Sequence, residues 1–336
     1  MKSGRSTAVT MPGLKWKLKS ALQRACAALP VKQEAAYYFL QRAFGRPLRY
    51  SPLPNMEEAG AIMAQLAACG LSVRGARVME TGTGRRVDMP LAFYLCGARS
   101  VCTYDLHRYL KPELVRYSVA ELLRQRERVK AIFRNVVDPG EMDARFDALA
   151  EARDASAILE TARIDYRAPA DASRTGLPDG SVDVHFSYTV LEHIPADVLT
   201  AILHEAGRVL APGGLACHHI DPSDHFSHDD ASISKINFLR FTESQWQRYG
   251  GNQFAYHNRL RSVDYMEIYK ACGHEIVDCV RWTDERSLRE LRSGFPLAPE
   301  FQAMPPEMLC TVGLRIVSRP KRTGSPETGA GYHAIL

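Results

Sequence analysis

Thirteen consecutive residues, His218-His219-Ile220-Asp221-Pro222-Ser223-Asp224-His225-Phe226-Ser227-His228-Asp229-Asp230, contain four histidines and four aspartates. Imidazoles titrate near neutrality, so a cluster of this kind can exchange protons with a bound substrate. Histidine and carboxylate can also hold divalent ions. No definite ligand spacing is present, however, and no metal is assigned. Alternation along an extended segment puts His219 and Asp221 on one side and His218 on the other. A loop that binds a polar substrate and carries one general base is preferred to a merely structural polar loop. His219 and Asp221 are therefore candidate catalytic residues, and His225 a candidate substrate contact.

A second candidate base, His193, lies in Leu191-Glu192-His193-Ile194-Pro195. A further segment is dense in aromatics and arginines. It runs from Asn237-Phe238-Leu239-Arg240-Phe241 through Tyr256-His257-Asn258-Arg259-Leu260-Arg261 to Asp264-Tyr265. Arginine forks suit carboxylates and phosphates, and aromatic faces suit sugars. Tyr256, Asn258, Arg259 and Arg261 are read as substrate contacts, the alternative being core aromatics with structural ion pairs.

The remaining chemistry lies upstream, in Val78-Met79-Glu80-Thr81-Gly82-Thr83-Gly84. Glycines directly after a strand let the backbone approach a ligand closely, and the helix that follows favours negative groups at its N-terminus. Asp105, 25 residues after Glu80, ends the next strand, where a carboxylate can accept bonds from both hydroxyls of a ribose. The pair indicates a nucleoside ligand. A nicotinamide dehydrogenase is disfavoured, because its fingerprint requires a third glycine at the place of Val87.

The elements that must carry these groups alternate between strand and helix. Strands are expected at Ala76–Glu80, Ser100–Asp105, Arg163–Tyr166, Val182–Ser187, Leu215–Ile220, His274–Trp282 and Met308–Val317. Helices are expected at Met56–Leu71, Val87–Leu95, Asp197–Leu210 and Val263–Ala271. Two long helical stretches, Leu110–Phe133 and Asp143–Leu159, make an insertion at about 107–162 that could form a lid or a small subdomain over the site. The alternation predicts an α/β fold with crossover helices.

In this order, the motifs resemble those of the class I S-adenosylmethionine-dependent methyltransferases. The resemblance rests on Glu80-x-Gly82-x-Gly84, Asp105, Leu177-Pro178-Asp179-Gly180-Ser181-Val182-Asp183, Ser187 to Pro195, and Ala211-Pro212-Gly213-Gly214. It implies a Rossmann-like, doubly wound sheet of seven strands, mostly parallel with an antiparallel last strand, over residues 55–320. It implies S-adenosylmethionine as cofactor, with Gly82 and Gly84 beneath its methionine part and Glu80 nearby. Asp105 would hold the ribose and the backbone near Ser187 the amino group. Asp171 would stand near the adenine, with Asp165 as competitor. The third glycine common in the family is replaced by Arg86, which could contact the cofactor carboxylate or lie exposed with Arg85. The aromatic and histidine segments resemble a bacterial subgroup loosely linked to glycan and polysaccharide biosynthesis. The expected activity is O-methylation of a polar small molecule or glycan. Methylation of nitrogen or carbon, or a non-catalytic cofactor-binding protein, is the alternative.

The charge of the chain is unevenly placed. Residues 1–30 carry Lys2, Arg5, Lys15, Lys17, Lys19 and Arg24 and no acid, leaving 37 basic against 38 acidic residues elsewhere. So neutral a body gives no sign of a nucleic-acid partner. Residues 1–54 are read as a basic leader with a helical extension. Trp16, Leu18 and Leu22 could place the leader as a peripheral contact on anionic lipid or on a partner, although a partly ordered, solvated extension is the simpler reading. The eight cysteines show no paired spacing, which suits a cytoplasmic protein without structural disulfides, at most peripheral to the inner membrane face. The tail, 321–336, reads as flexible.

Overall fold

A computed structural model describes residues 14–30, Tyr38 and 50–321. The expected flexible tail, the first part of the leader and most of the helical stretch at 33–45 lie outside the described residues. Seven strands form one sheet: β1 (Arg77–Thr81), β2 (Ser100–Tyr104), β3 (Ile164–Arg167), β4 (Val182–Tyr188), β5 (Leu210–Ile220), β6 (His274–Thr283) and β7 (Thr311–Pro320). Their order is β3-β2-β1-β4-β5-β7-β6. Pairings from β3 to β5 are parallel, and β7 runs antiparallel to both β5 and β6. This is the doubly wound Rossmann-like sheet expected from the sequence. The order reverses between β1 and β4, and at such a switch point the strand ends open a crevice for ligand.

Helices cover both faces. α1 (Leu14–Ala27) precedes α2 (Leu53–Ala68), and α3 (Asp88–Leu95) follows the glycine turn. Every residue of α3 is buried, as a crossover helix apolar on all sides must be, and its one charged residue, Asp88, is paired with Arg86. The insertion holds α4 (Pro112–Arg124), α5 (Arg126–Phe133), α6 (Pro139–Glu151) and α7 (Ala155–Thr161). Two long helices were expected there, and local signals divide them. Pro112 forces Lys111 into an extended conformation and sets the start of α4. Asp154 caps α7 through the Ala157 N–H, so the second stretch breaks before it. Nor is the insertion chiefly a lid. Val115, Leu122, Phe133, Phe146 and Leu149 share one core with α2 and α3, and only Leu114 lines the cavity at the switch point.

After β4 a 3-10 turn at Leu191–His193 leads into α8 (Ala196–Val209); α9 (Glu243–Gly250), α10 (Ser262–Ala271), α11 (Glu285–Arg292) and the short α12 (Pro306–Leu309) follow. The expected start of the last strand at Met308 falls inside α12 and the turn after it. No two cysteine sulfurs are bonded. Among the described residues, no helix is long and apolar enough to cross a membrane.

The leader departs most from expectation. Trp16, Ser20, Gln23 and Cys26 are buried, a stripe at helical spacing. Trp16 sits 5.5 Å from Phe226 and 4.8 Å from Tyr249 between ring centroids, and its N–H donates to Asp230 at 3.1 Å. Ser20 and Gln23 donate to the carbonyls of Tyr249 and Phe254. Residues 14–27 are thus a docked helix and not a solvated extension, held by the indole buried among aromatics together with the bonds of Ser20 and Gln23. Leu18 and Leu22 remain exposed on its outer side.

Candidate active site

The crevice at the switch point encloses about 340 Å³, lined by Glu80, Gly82, Gly84, Arg86, Tyr188 and Val190 among others, within the size range of small-molecule sites. Gly82 (φ 87°) and Gly84 (φ 67°) take left-handed conformations. A Cβ on Gly82 would lie 2.7 Å from Val190 Cγ1, so only glycine lets the loop after β4 close onto the turn. Asp105 faces this turn. Its Oδ2 accepts the Gly84 N–H at 2.9 Å and its Oδ1 the His107 N–H at 3.1 Å.

Glu80 is 3% exposed and accepts a bond from the Thr103 hydroxyl. Burial pushes its carboxyl up to about 8 against that bond, and Asp105 and Asp88 add to the rise. A positively charged group beside Glu80 would favour its ionised form. A donor set of this kind fits S-adenosylmethionine. Asp105 suits a ribose, and Glu80 with the bare glycine turn suits the cationic methionine end.

Arg86, expected at the cofactor or exposed, is buried, although it lines the crevice. It is 7% exposed, pairs with Asp88 at 2.8 Å, donates to the Tyr50 carbonyl at 2.8 Å and to Ser118 at 3.0 Å. It locks the start of α3 against α4. Ser187 is buried, its hydroxyl 2.8 Å from His218 Nδ1. Asp171 is exposed and caps its own turn through the Ser173 N–H, while its competitor Asp165 pairs with Arg167. Neither lines the crevice.

A second cavity of about 260 Å³ opens beyond the loop after β4. Tyr188 to Val190 line the first cavity and His193 the second, so this one segment forms a wall of both. The second is walled by Lys19 and Gln23 of α1, by His193, His225, His228 and His257, and by Phe226 and Asp229. The imidazoles stack, His225 lying 4.8 Å from His193, 4.9 Å from His228 and 5.1 Å from His257 between centroids.

His193 opens to the cavity through its ring while protein surrounds the rest. That burial lowers its pKa, although the Tyr256 carbonyl, 2.9 Å from Nδ1, opposes the shift. The carbonyl can only accept, so Nδ1 carries the proton and Nε2 of the neutral ring is the basic atom. Burial and then His193 bring His225 down to about 3. Burial would raise Asp221, but His228, His225 and Ser223 outweigh it and hold the carboxyl well below its ordinary value.

Other expected site residues stand elsewhere. His219 lines neither cavity. It stacks on Trp282 at 5.5 Å, and burial with nearby Arg315 lowers it to about 4. Alternation does turn His218 to the opposite face, against His185 and Tyr269. Arg259 and Arg261 point inward and are corrected from substrate contacts to braces. Arg261 is fully buried and donates to the carbonyls of Arg259, Leu309 and Pro222. Arg259 donates to those of Phe238 and Phe241 and pairs with Glu243. Loops without a ladder leave carbonyls that a buried guanidinium can satisfy. Asn258 likewise holds Leu191 and Ile194 by their carbonyls, each at 2.8 Å, fixing the turn that carries His193. Tyr256 contributes its carbonyl. The cavity residues missed from the sequence are His228, His257, Lys19 and Gln23, the last two hidden in the leader.

A family model described as a methyltransferase domain matches residues 131–218, from α5 to β5, leaving the glycine turn outside the matched span. No curated protein matches by sequence. Solved structures similar to this chain include an S-adenosylmethionine-dependent methyltransferase from Mesorhizobium loti, 15% identical over 76% of this chain and 96% of that one, TM-score 0.41. A SAM-dependent methyltransferase from Methanosarcina mazei is 13% identical over 76% and 96%, TM-score 0.43. A geranyl diphosphate methyltransferase in complex with SAM is 14% identical over 89% and 95%, TM-score 0.43. With the glycine turn facing Asp105 at the switch point, and a methyltransferase domain matched through the strands beside it, the chain is an enzyme of the S-adenosylmethionine-dependent methyltransferase kind.

Proposed function

We propose that the enzyme methylates an oxygen of a polar small molecule or glycan bound in the histidine-lined cavity. The observation that carries this reading is His193, anchored through Nδ1 and open to the cavity on the same segment that closes the cofactor crevice. S-adenosylmethionine supplies an activated methyl group on its sulfonium, so the protein's main task is alignment. A hydroxyl acceptor also gains from a base, and His193 Nε2 can take its proton. Lys19, Gln23 and Asp229 offer polar contacts to the rest of the acceptor, and α1 with Phe226 shields it from water. The cavity's polar wall favours hydroxylated acceptors over apolar ones.

The test is transfer of labelled methyl from S-adenosylmethionine to a panel of hydroxylated metabolites and oligosaccharides, with amine analogues beside them. Label in an ether, with His193→Asn losing kcat and the acidic limb of its pH profile, supports the reading. Label on nitrogen, or full turnover by His193→Asn, refutes it.

A further inference from the structure

Glu192 lies beside His193 in the turn after β4, and its side chain is out of reach of solvent, at 1% exposure. Neither carboxylate oxygen has a hydrogen-bond partner in good geometry. Buried carboxylates are paired or bind metal, because desolvation of a lone one is costly. Its neighbours are the histidines of the loop after β5. Ligand-capable atoms of Glu192, His193 and His225 lie within 4.8 Å of one another, and so do those of Asp221, His225 and His228.

The second trio converges on one carboxylate oxygen. His225 Nε2 lies 3.7 Å and His228 Nε2 3.4 Å from the same oxygen, Asp221 Oδ2. Both distances exceed the usual N–H···O separation of about 2.9 Å. They approach the roughly 3.4 Å that separates neighbouring ligands of a tetrahedral ion with bonds of about 2.1 Å. His225 Nε2 is buried without a hydrogen-bond partner. Asp221 Oδ1 accepts the Ser223 N–H at 3.0 Å, which orients the carboxylate as an outer-sphere bond does at a metal site.

We propose that Asp221, His225 and His228 bind one divalent cation of borderline softness, with Zn²⁺ the best match and an open position left for an oxygen ligand. Two imidazoles with a carboxylate favour Zn²⁺, Co²⁺ or Mn²⁺ over Mg²⁺ and Ca²⁺. All three ligands fall in the histidine–aspartate cluster of the sequence, whose spacing singled out no ligand set, whereas Glu192 comes from a different strand end. His225 and His228 line the acceptor cavity, so the ion stands where it can take an oxygen of the acceptor and make its proton easier for His193 to remove. That last role rests on the proposed O-methylation, whereas binding of the ion does not.

Full-length protein, stripped with chelator and dialysed, is titrated calorimetrically with Zn²⁺ and by visible absorption with Co²⁺, with Mg²⁺ as control. One equivalent of Zn²⁺ and of Co²⁺ should bind, and Asp221→Asn and His228→Ala should each weaken binding at least tenfold. His204→Ala, on the exposed side of α8, should bind as wild type. Zn²⁺ should raise the melting temperature of wild type and not that of the two site variants. Absence of saturable binding to wild type overturns the proposal, as does equal affinity in wild type and both variants. Should a variant fail to fold, the wild-type stoichiometry and the other variant decide. S-adenosylmethionine binding is measured on the same stripped samples. Intact cofactor binding with no metal binding sinks this inference alone, whereas loss of cofactor binding sinks the methyltransferase reading.

Discussion

Replacing Glu80 by glutamine should stabilise the empty protein more and more as pH rises. The carboxyl is buried among the residues of the cofactor crevice, with a pKa of about 8 in the folded protein against 4.5 ordinarily. Between those values the folded chain holds a proton that the unfolded chain has released. Stability therefore falls with rising pH across that window, and the fall ends above the folded pKa. At about 1.4 kcal/mol per pH unit, the whole window is worth roughly 5 kcal/mol. Glutamine keeps the shape and a hydrogen-bonding oxygen for Thr103 but exchanges no proton. The stability of Glu80→Gln relative to wild type should grow by about 1 kcal/mol from pH 6 to 7, and by about as much again from pH 7 to 8. Other titrating groups are common to both proteins and cancel in the difference. Urea unfolding followed by tryptophan fluorescence at pH 6, 7 and 8, without cofactor, measures it. A stability difference that stays constant over that range, or shrinks, would refute the assignment of a protonated Glu80.

Asp105→Ala should weaken S-adenosylmethionine binding by about 2–3 kcal/mol, the worth of a charge-assisted contact, with loss of the turn's Gly84 bond contributing. Calorimetry checks this, and unchanged affinity contradicts the ribose role. Arg261→Ala should cost at least about 3 kcal/mol in urea unfolding, because three backbone carbonyls lose their donor inside the protein. A loss under about 1 kcal/mol would return Arg261 to the candidate substrate contacts. Trp16→Ala should release α1 from the aromatic cluster of Phe226 and Tyr249, at a cost of up to about 3–5 kcal/mol. Rapid trypsin cleavage at Lys17, Lys19 or Arg24 is the expected signature, with acceptor KM rising more than kcat falls. Wild-type resistance to cleavage would show that α1 holds by other means.

The strand-end residues were legible because each is tied to a local rule. Glu80, Gly82, Gly84 and Asp105 follow apolar runs too short for helices, and a parallel sheet brings its strand ends to one edge whatever the loops do. In the insertion Pro112 marks the start of α4 and Asp154 caps α7, whereas the break at Gln125 carries no side-chain cap and periodicity hid it. The second cavity has no such rule behind it. Its residues come from α1, the turn after β4, the loop after β5 and the stretch before α10, and loop side chains have no fixed period.

That difference explains which residues were misread. Arginine and histidine types announced polar chemistry, yet type does not say whether a group faces ligand or carbonyl. Arg259 and Arg261 face carbonyls because the long loops around them leave acceptors unmatched. His219 faces Trp282 because Asp221, two residues on, already lies past the end of β5. Lys19 and Gln23 looked like solvated leader until Trp16 anchored their helix. The sequence by itself determined the order of strands and helices, the crevice at the switch point and the carboxylates that face it, since these depend on local pattern and sheet geometry. Only the tertiary structure decided which polar side chains share the second cavity, since their burial, partners and distances arise from packing between segments far apart in the chain.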